Sequence, residues 1–359
     1  MDIKEILKRA TEEEASDIHI VSGMPPIIRI STQLVMLKEY GDVTDEQART
    51  MLGDIANQQQ LEQFEEHQDA DFSTSIDCGT RFRVNAHLQK SSVAIAFRVI
   101  SSDIPALGIL GLPDIVDELT KLPRGLVLVT GPTGSGKSTT LAAMIKKINE
   151  DRAEHIITIE DPVEYDMTSN CSVIEQREIG MDCPNFASGI RHALRQDPDV
   201  ILVGEMRDLE TTSATITAAE TGHLVFSTLH TNNAAQTVER IIDIYPSTQQ
   251  GQIRSMLANT LQAVISQTLF KRVDQDGMTA CAEILICTSA VRNCIREDRV
   301  FEIANVLETG MKFGMQSMDR SIAEKLSQGI ISEDDAYCKA HNPAKVKQLL
   351  DYQNTLQPA

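Results

Sequence analysis

No stretch of this chain is long and apolar enough to read as a membrane span. The longest relevant uncharged run, Ser255 to Phe270, is interrupted by Asn259, Gln262 and Gln267. Leu257, Leu261, Val264, Ile265 and Leu269 lay one apolar stripe along it, so a packed helix is expected there. A secretory leader is missing too, because Met1-Asp2-Ile3-Lys4-Glu5-Ile6-Leu7 is charged and amphipathic. The expectation is a cytoplasmic protein without direct membrane insertion. No C-x-x-C pair occurs among the cysteines at 78, 171, 183, 281, 287, 294 and 338. So neither a cysteine zinc site nor a dithiol redox motif is indicated, and reduced structural thiols are expected. Positive charge is scarce: 33 Lys and Arg face 52 Asp and Glu, a net charge of −19. A protein that grips a nucleic-acid backbone must neutralise phosphates, so this balance weighs against a translocase. Internal repeats and low-complexity tracts are absent as well.

What remains is an ordinary globular chain of 359 residues, 42% apolar and 24% charged, long enough for two domains. One motif stands out. Gly131-Pro132-Thr133-Gly134-Ser135-Gly136-Lys137-Ser138 spells G-x-x-x-x-G-K-S, followed by Thr139. Leu126 to Thr130 before it reads as a buried strand. Leu141, Met144, Ile145 and Ile148 after it recur at helical spacing. Strand, glycine loop and helix in that order form a phosphate-binding loop. Gly134 and Gly136 let successive N–H groups turn inward towards phosphate oxygens, and the helix start adds its positive end. Lys137 is expected at the β- and γ-phosphates, with the Ser138 hydroxyl on Mg²⁺. ATP is the expected ligand.

Further apolar runs at 156–159, 200–203 and 224–226 alternate with helical segments, which predicts a parallel sheet covered on both faces. Sites in such sheets lie at the carboxyl ends of the strands. Glu205 follows the run 200–203 and is expected to hold Mg²⁺ directly or through water. Glu160, Asp161 and Glu164 follow the run 156–159, where one carboxylate can orient or deprotonate the attacking water. His223 and His230 bracket the run 224–226 and can sense a γ-phosphate or bond the carboxylates. Residues 20–100 read as short strands with one or two helices. Arg81 to Leu88 alternates strictly, with Phe82, Val84, Ala86 and Leu88 on the core face. Beyond residue 250 the pattern reads as almost wholly helical.

Four ordered motifs carry a resemblance. They are Ala15-Ser16-Asp17-Ile18-His19-Ile20, then Ile157 to Glu164, then Leu194 to Asp208, then Thr221 to Asn232. Together they resemble the opening, Asp box, Walker B and His box of the type II/IV secretion-system ATPases, along nearly the whole chain. The likeness implies a RecA-like motor domain preceded by a small α+β, PAS-like domain, assembled as a homohexamer. The boundaries expected are 1–102 for the first domain, 103–113 for the linker, 114–285 for the motor core and 286–359 for a helical end. The resemblance assigns Glu164 as the Asp-box carboxylate, Glu205 as the Walker B glutamate, and His223 and His230 as the box histidines. It adds Arg81, Arg83, Arg98 and Arg240 as candidate phosphate arginines; such a fork suits γ-phosphate charge.

Within the family, Ser289 to Glu297 and Gly314 to Asp319 resemble the branch that retracts type IV pili. No tetracysteine element follows the His box. The branch implies an inner-membrane pilus platform protein as partner, and a peripheral location at that membrane. An accessory paralogous retraction ATPase is both the runner-up identity and a candidate partner. A non-hydrolysing scaffold is disfavoured by Lys137, Ser138, Glu164 and Glu205. In 289–297, Arg292, Asn293 and Arg296 lie off the apolar helix face and are expected to transmit motion or dock the platform. Replacing both arginines by alanine is expected to change stability by only about 0.5 kcal/mol.

Overall fold

Asp2 accepts the amide of Lys4 and starts α1 (Ile3–Glu12), which buries Ile3, Ile6, Leu7 and Ala10. Thr44-x-x-Gln47 and Asn57-x-x-Gln60 both close reciprocal capping boxes, opening α2 (Asp45–Ile55) and α3 (Gln58–His67). These helices cover a six-stranded antiparallel sheet in the computed structural model, which describes residues 1–77 and 79–356. Its strands are β1 (Asp17–Val21), β2 (Ile27–Ile30), β3 (Gln33–Met36), β4 (Asp69–Ser75), β5 (Arg81–Gln89) and β6 (Ser92–Ile100). They lie in the order β3-β2-β1-β6-β5-β4. The alternation in β5 buries Phe82, Val84 and Ala86, and Phe82 meets Phe97 edge-to-face at 6.3 Å. This unit comprises Met1–Asp103 together with Pro162–Asp166 and Gly180–Asp182.

The second unit holds Ile104–Asp161, Met167–Ile179 and Cys183–Ala359. After α4 (Ile115–Leu119), seven strands build its sheet. They are β7 (Gly125–Thr130), β8 (His155–Glu160), β9 (Val173–Glu178), β10 (Val200–Val203), β11 (Leu224–Leu229), β12 (Leu261–Lys271) and β13 (Met278–Ile286). In the order β13-β12-β7-β11-β10-β8-β9, every neighbouring pair is parallel except β12 with β13. Packed with them are α5 (Lys137–Asp151), α6 (Phe186–Ala193), α7 (Leu209–Glu220), α8 (Ala234–Asp243) and α9 (Ser247–Thr260). The helical end comprises α10 (Ser289–Arg296), α11 (Ile303–Thr309), α12 (Met318–Ser327), α13 (Glu333–Lys339) and α14 (Pro343–Leu356). Strands β7, β10 and β11 are buried along their full length, which is why they lack polar alternation.

The packed helix expected over 255–270 is not what forms. Helix α9 stops at Thr260, and Leu261 opens β12 without an intervening loop. Leu261, Val264 and Ile265 sit in a strand buried on both faces, so their spacing carries no period of two. With β13 beside it, the region after 250 is not almost wholly helical either. Among the described residues no helix is long and apolar enough to cross a membrane. The described cysteines are all unpaired, and Cys78 lies outside the described residues. Burial pushes the Cys281 and Cys287 thiols up to about 12, which leaves them inert at neutral pH.

Arg292 also departs from expectation. Its guanidinium donates to the carbonyls of Ala258 and Asn259 and to Gln262 Oε1, closing the open end of α9 where β12 begins. It is a structural tether rather than a free surface group. Arg292→Ala should therefore lower unfolding stability by about 1–3 kcal/mol, read as a lower thermal midpoint. An unchanged midpoint would refute the tether.

Candidate active site

The parallel strands deliver their chemistry at one edge. Strand β7 ends at Thr130, the glycine loop follows, and α5 starts at Lys137 behind Gly136, whose φ is 86°. Pro132, Thr133, Gly134 and Ser138 are exposed, while Ser135 and Lys137 are buried. Gly131 is required by crowding. A Cβ there would stand 2.3 Å from the backbone carbonyl of Gln267 and 2.6 Å from Ser135 Oγ.

Lys137 Nζ donates to the carbonyls of Gly131 at 3.0 Å and Pro132 at 3.1 Å. Burial holds its pKa below the ordinary lysine value, against the opposing pull of Glu205. An ammonium short of counter-charge beside a ring of amides is an anion site. Its third neighbour is His230, whose Nδ1 lies 3.5 Å away while the ring's Nε2 lies 3.4 Å from Glu205 Oε2. One tautomer serves both contacts: Nδ1 accepts from Lys137 and Nε2–H donates to the carboxylate. Glu205 also pairs with Arg207 through its other oxygen. Its strand end is fixed by Gly204, whose carbonyl accepts Thr228 Oγ1 at 2.7 Å. Lys137, His230 and Glu205 are thus brought together as a row.

His223 is not part of it. Its Nδ1 lies 2.9 Å from the carbonyl of Ala218 at the start of β11, where its own carbonyl accepts the amide of Gly125. Six strand residues, about 20 Å, separate it from His230. Of the two box histidines, His230 is the one whose contacts place it beside the loop lysine and Glu205, while His223 lies at the opposite end of β11. The acidic cluster divides too. Glu160 is buried at the end of β8, accepting Thr158 Oγ1 at 2.6 Å and Gln176 Nε2 at 3.3 Å. Glu164 belongs to the first unit, where the adjoining Tyr165 bridges Ser101 beyond the end of β6.

In that first unit Arg81 donates to Ser73 Oγ at 3.0 Å, Arg98 pairs with Asp17 at 2.9 Å, and Arg83 faces Arg98 across the β5–β6 pair. Arg240 is exposed on α8. Sequence reasoning missed Gln267 and Thr140, which meet behind the loop. The signal was a glutamine inside an apolar run, because a buried amide must find hydrogen-bond partners. Among the described residues no group of three or more His, Cys, Asp or Glu is disposed to hold a metal. The hard oxygens of Ser138 and Glu205 fit Mg²⁺, which normally takes one or two protein ligands with phosphates and water.

A mostly parallel sheet with a glycine loop, a buried lysine and a carboxylate at its strand ends defines a phosphate-loop nucleotide hydrolase. A family model described as type II/IV secretion system protein matches residues 1–338, and the chain belongs to that family. It is a nucleotide-binding ATPase. The type IV pilus retraction ATPase PilT of Pseudomonas aeruginosa is 45% identical over 343 residues, 96% of this chain and 99% of that protein. A twitching motility protein of Neisseria gonorrhoeae is 44% identical, covering 95% of this chain and 91% of its own. A crystal structure of the pilus retraction motor PilT with bound ADP superimposes with a TM-score of 0.89. It shares 43% identity and covers 97% of this chain and 99% of its own.

Proposed function

We propose that this chain is the ATPase that retracts type IV pili, turning ATP hydrolysis into filament disassembly and hence twitching. The observation that carries the reading is likeness over almost the full length to a retraction ATPase, 45% identical over 96% of the chain. The Lys137–His230–Glu205 row supports the chemistry. Lys137 exchanges the carbonyls of Gly131 and Pro132 for the β- and γ-phosphates, and the loop amides take the remaining phosphate oxygens. Ser138 and Glu205 would hold Mg²⁺, whose charge would offset that building on the phosphoryl oxygens. His230 fixes the Glu205 carboxylate by donating from Nε2. Glu164 is the carboxylate that polarises the attacking water. Arg81, Arg83, Arg98 and Arg240 supply guanidinium charge for the γ-phosphate in a homohexameric ring. An inner-membrane platform protein receives the motion and keeps the motor peripheral at that membrane.

Deleting the gene in its host should abolish twitching on agar while surface pili persist or lengthen, and restoring the gene should reverse both. Normal twitching in the deletion strain would overturn the pilus assignment and leave the ATPase assignment standing.

A further inference from the structure

Strand β12 runs beside β7 and reaches over the loop at several points. Gln267 is 1% exposed. Its Nε2 donates to the Ser135 carbonyl at 2.7 Å, and its Oε1 accepts the Thr140 hydroxyl at 3.0 Å. A carbonyl can only accept, so the orientation of the amide is fixed by its partners. A Cβ at Gly136 would lie 3.1 Å from the same Nε2. One at Gly131 would strike the Gln267 backbone carbonyl, as described above. Next to it, Ser266 Oγ lies 2.8 Å from Thr130 Oγ1, tying the end of β7 to β12. Gln267 therefore meets the loop where it opens, before its last glycine, and in the first turn of α5.

We infer that Gln267 is a positioning residue that sets the curvature of the phosphate loop and so its affinity for nucleotide. The inference rests on the reading of this loop as the ATP site. In this structure Lys137 itself laces the loop through two carbonyls. A phosphate that recruits the ammonium removes those bonds at the moment the amides must hold their aim. The two side-chain bonds of Gln267 do not involve the phosphates, so they persist in both states. A loop held in advance loses less freedom on binding, which strengthens ground-state and transition-state contacts alike. Its removal should then appear in KM more than in kcat.

The test uses the full chain with a fluorescent ADP analogue, steady-state ATP hydrolysis and thermal midpoints. Gln267→Leu keeps the volume and deletes both hydrogen bonds. It should weaken ADP binding about tenfold and raise the KM for ATP in proportion, with kcat within a few-fold of wild type. Gln267→Glu keeps the shape, but an ionised carboxylate confronts the Ser135 carbonyl with no proton to donate. Protonation restores the donor, and burial against a carbonyl favours the protonated form. ADP affinity of this variant should therefore recover as pH falls from about 8 to about 6, while the leucine variant shows no such recovery. A purely space-filling role predicts lower midpoints without that pH-dependent rescue and would overturn the inference. So would wild-type ADP affinity in Gln267→Leu. A wild-type chain that fails to bind ADP would instead sink the ATPase reading.

Discussion

Lys137→Ala should lower ATP hydrolysis by about 10³-fold, measured as phosphate release at saturating nucleotide. Among the described residues the ammonium is the one cation placed on the loop itself, so its loss removes charge stabilisation where charge builds. Lys137 is 9% exposed, more buried than a surface phosphate ligand would be. The fold should nevertheless survive. The side chain donates to the carbonyls of Gly131 and Pro132 and meets His230 Nδ1 at 3.5 Å, all at the rim of the loop, and the exposed neighbours Pro132, Thr133 and Gly134 let water replace it. A thermal midpoint within a few degrees of wild type, with hydrolysis lost, is the expected pair of results. Retained turnover would remove the lysine from the site.

Glu205→Gln should slow hydrolysis by about 10²–10³-fold while nucleotide affinity stays within a few-fold of wild type. The amide keeps the shape, and its oxygen can still accept His230 Nε2–H, so the row at the strand ends stays assembled. What disappears is the negative charge offered to Mg²⁺ and its waters. The ion pair with Arg207 is also lost. That arginine is 74% exposed, so the loss costs little stability. Equal losses of affinity and turnover would point instead to a collapsed site, and normal turnover would exclude Glu205 from metal binding.

Much of this arrangement was legible before any coordinates. The runs 126–129, 156–159, 200–203 and 224–226 are continuous because their strands are buried on both faces, and that continuity is itself the mark of a parallel sheet. The glycine loop was legible because its backbone demands particular residues. Strand β12 was not. Its apolar residues face both ways, and α9 passes into it between Thr260 and Leu261 with no glycine or proline to mark the change. Strand β9 hid for the opposite reason: Val173-Ile174-Glu175-Gln176-Arg177-Glu178 is a polar edge strand with a single fully buried position. The two histidines were separable by their spacing. Bracketing one strand puts them at its opposite ends, and in a parallel sheet only the carboxyl end, where His230 lies, faces the phosphates. Arg292 reads as a surface charge on its helix, and only the open end of α9 reveals what it holds.

The division of the chain has a consequence for engineering and for descent. Pro162–Asp166 and Gly180–Asp182 are encoded in the middle of the second unit yet are structurally part of the first. The first unit therefore cannot be lifted out as one continuous cassette. A fragment beginning at Ile104 would carry Glu164 without Ser101, the residue that Tyr165 bridges. A graft of residues 1–103 onto another motor would arrive without Glu164. Such interleaving ties the two units into one heritable part, in which recombination at the obvious seam yields two incomplete pieces.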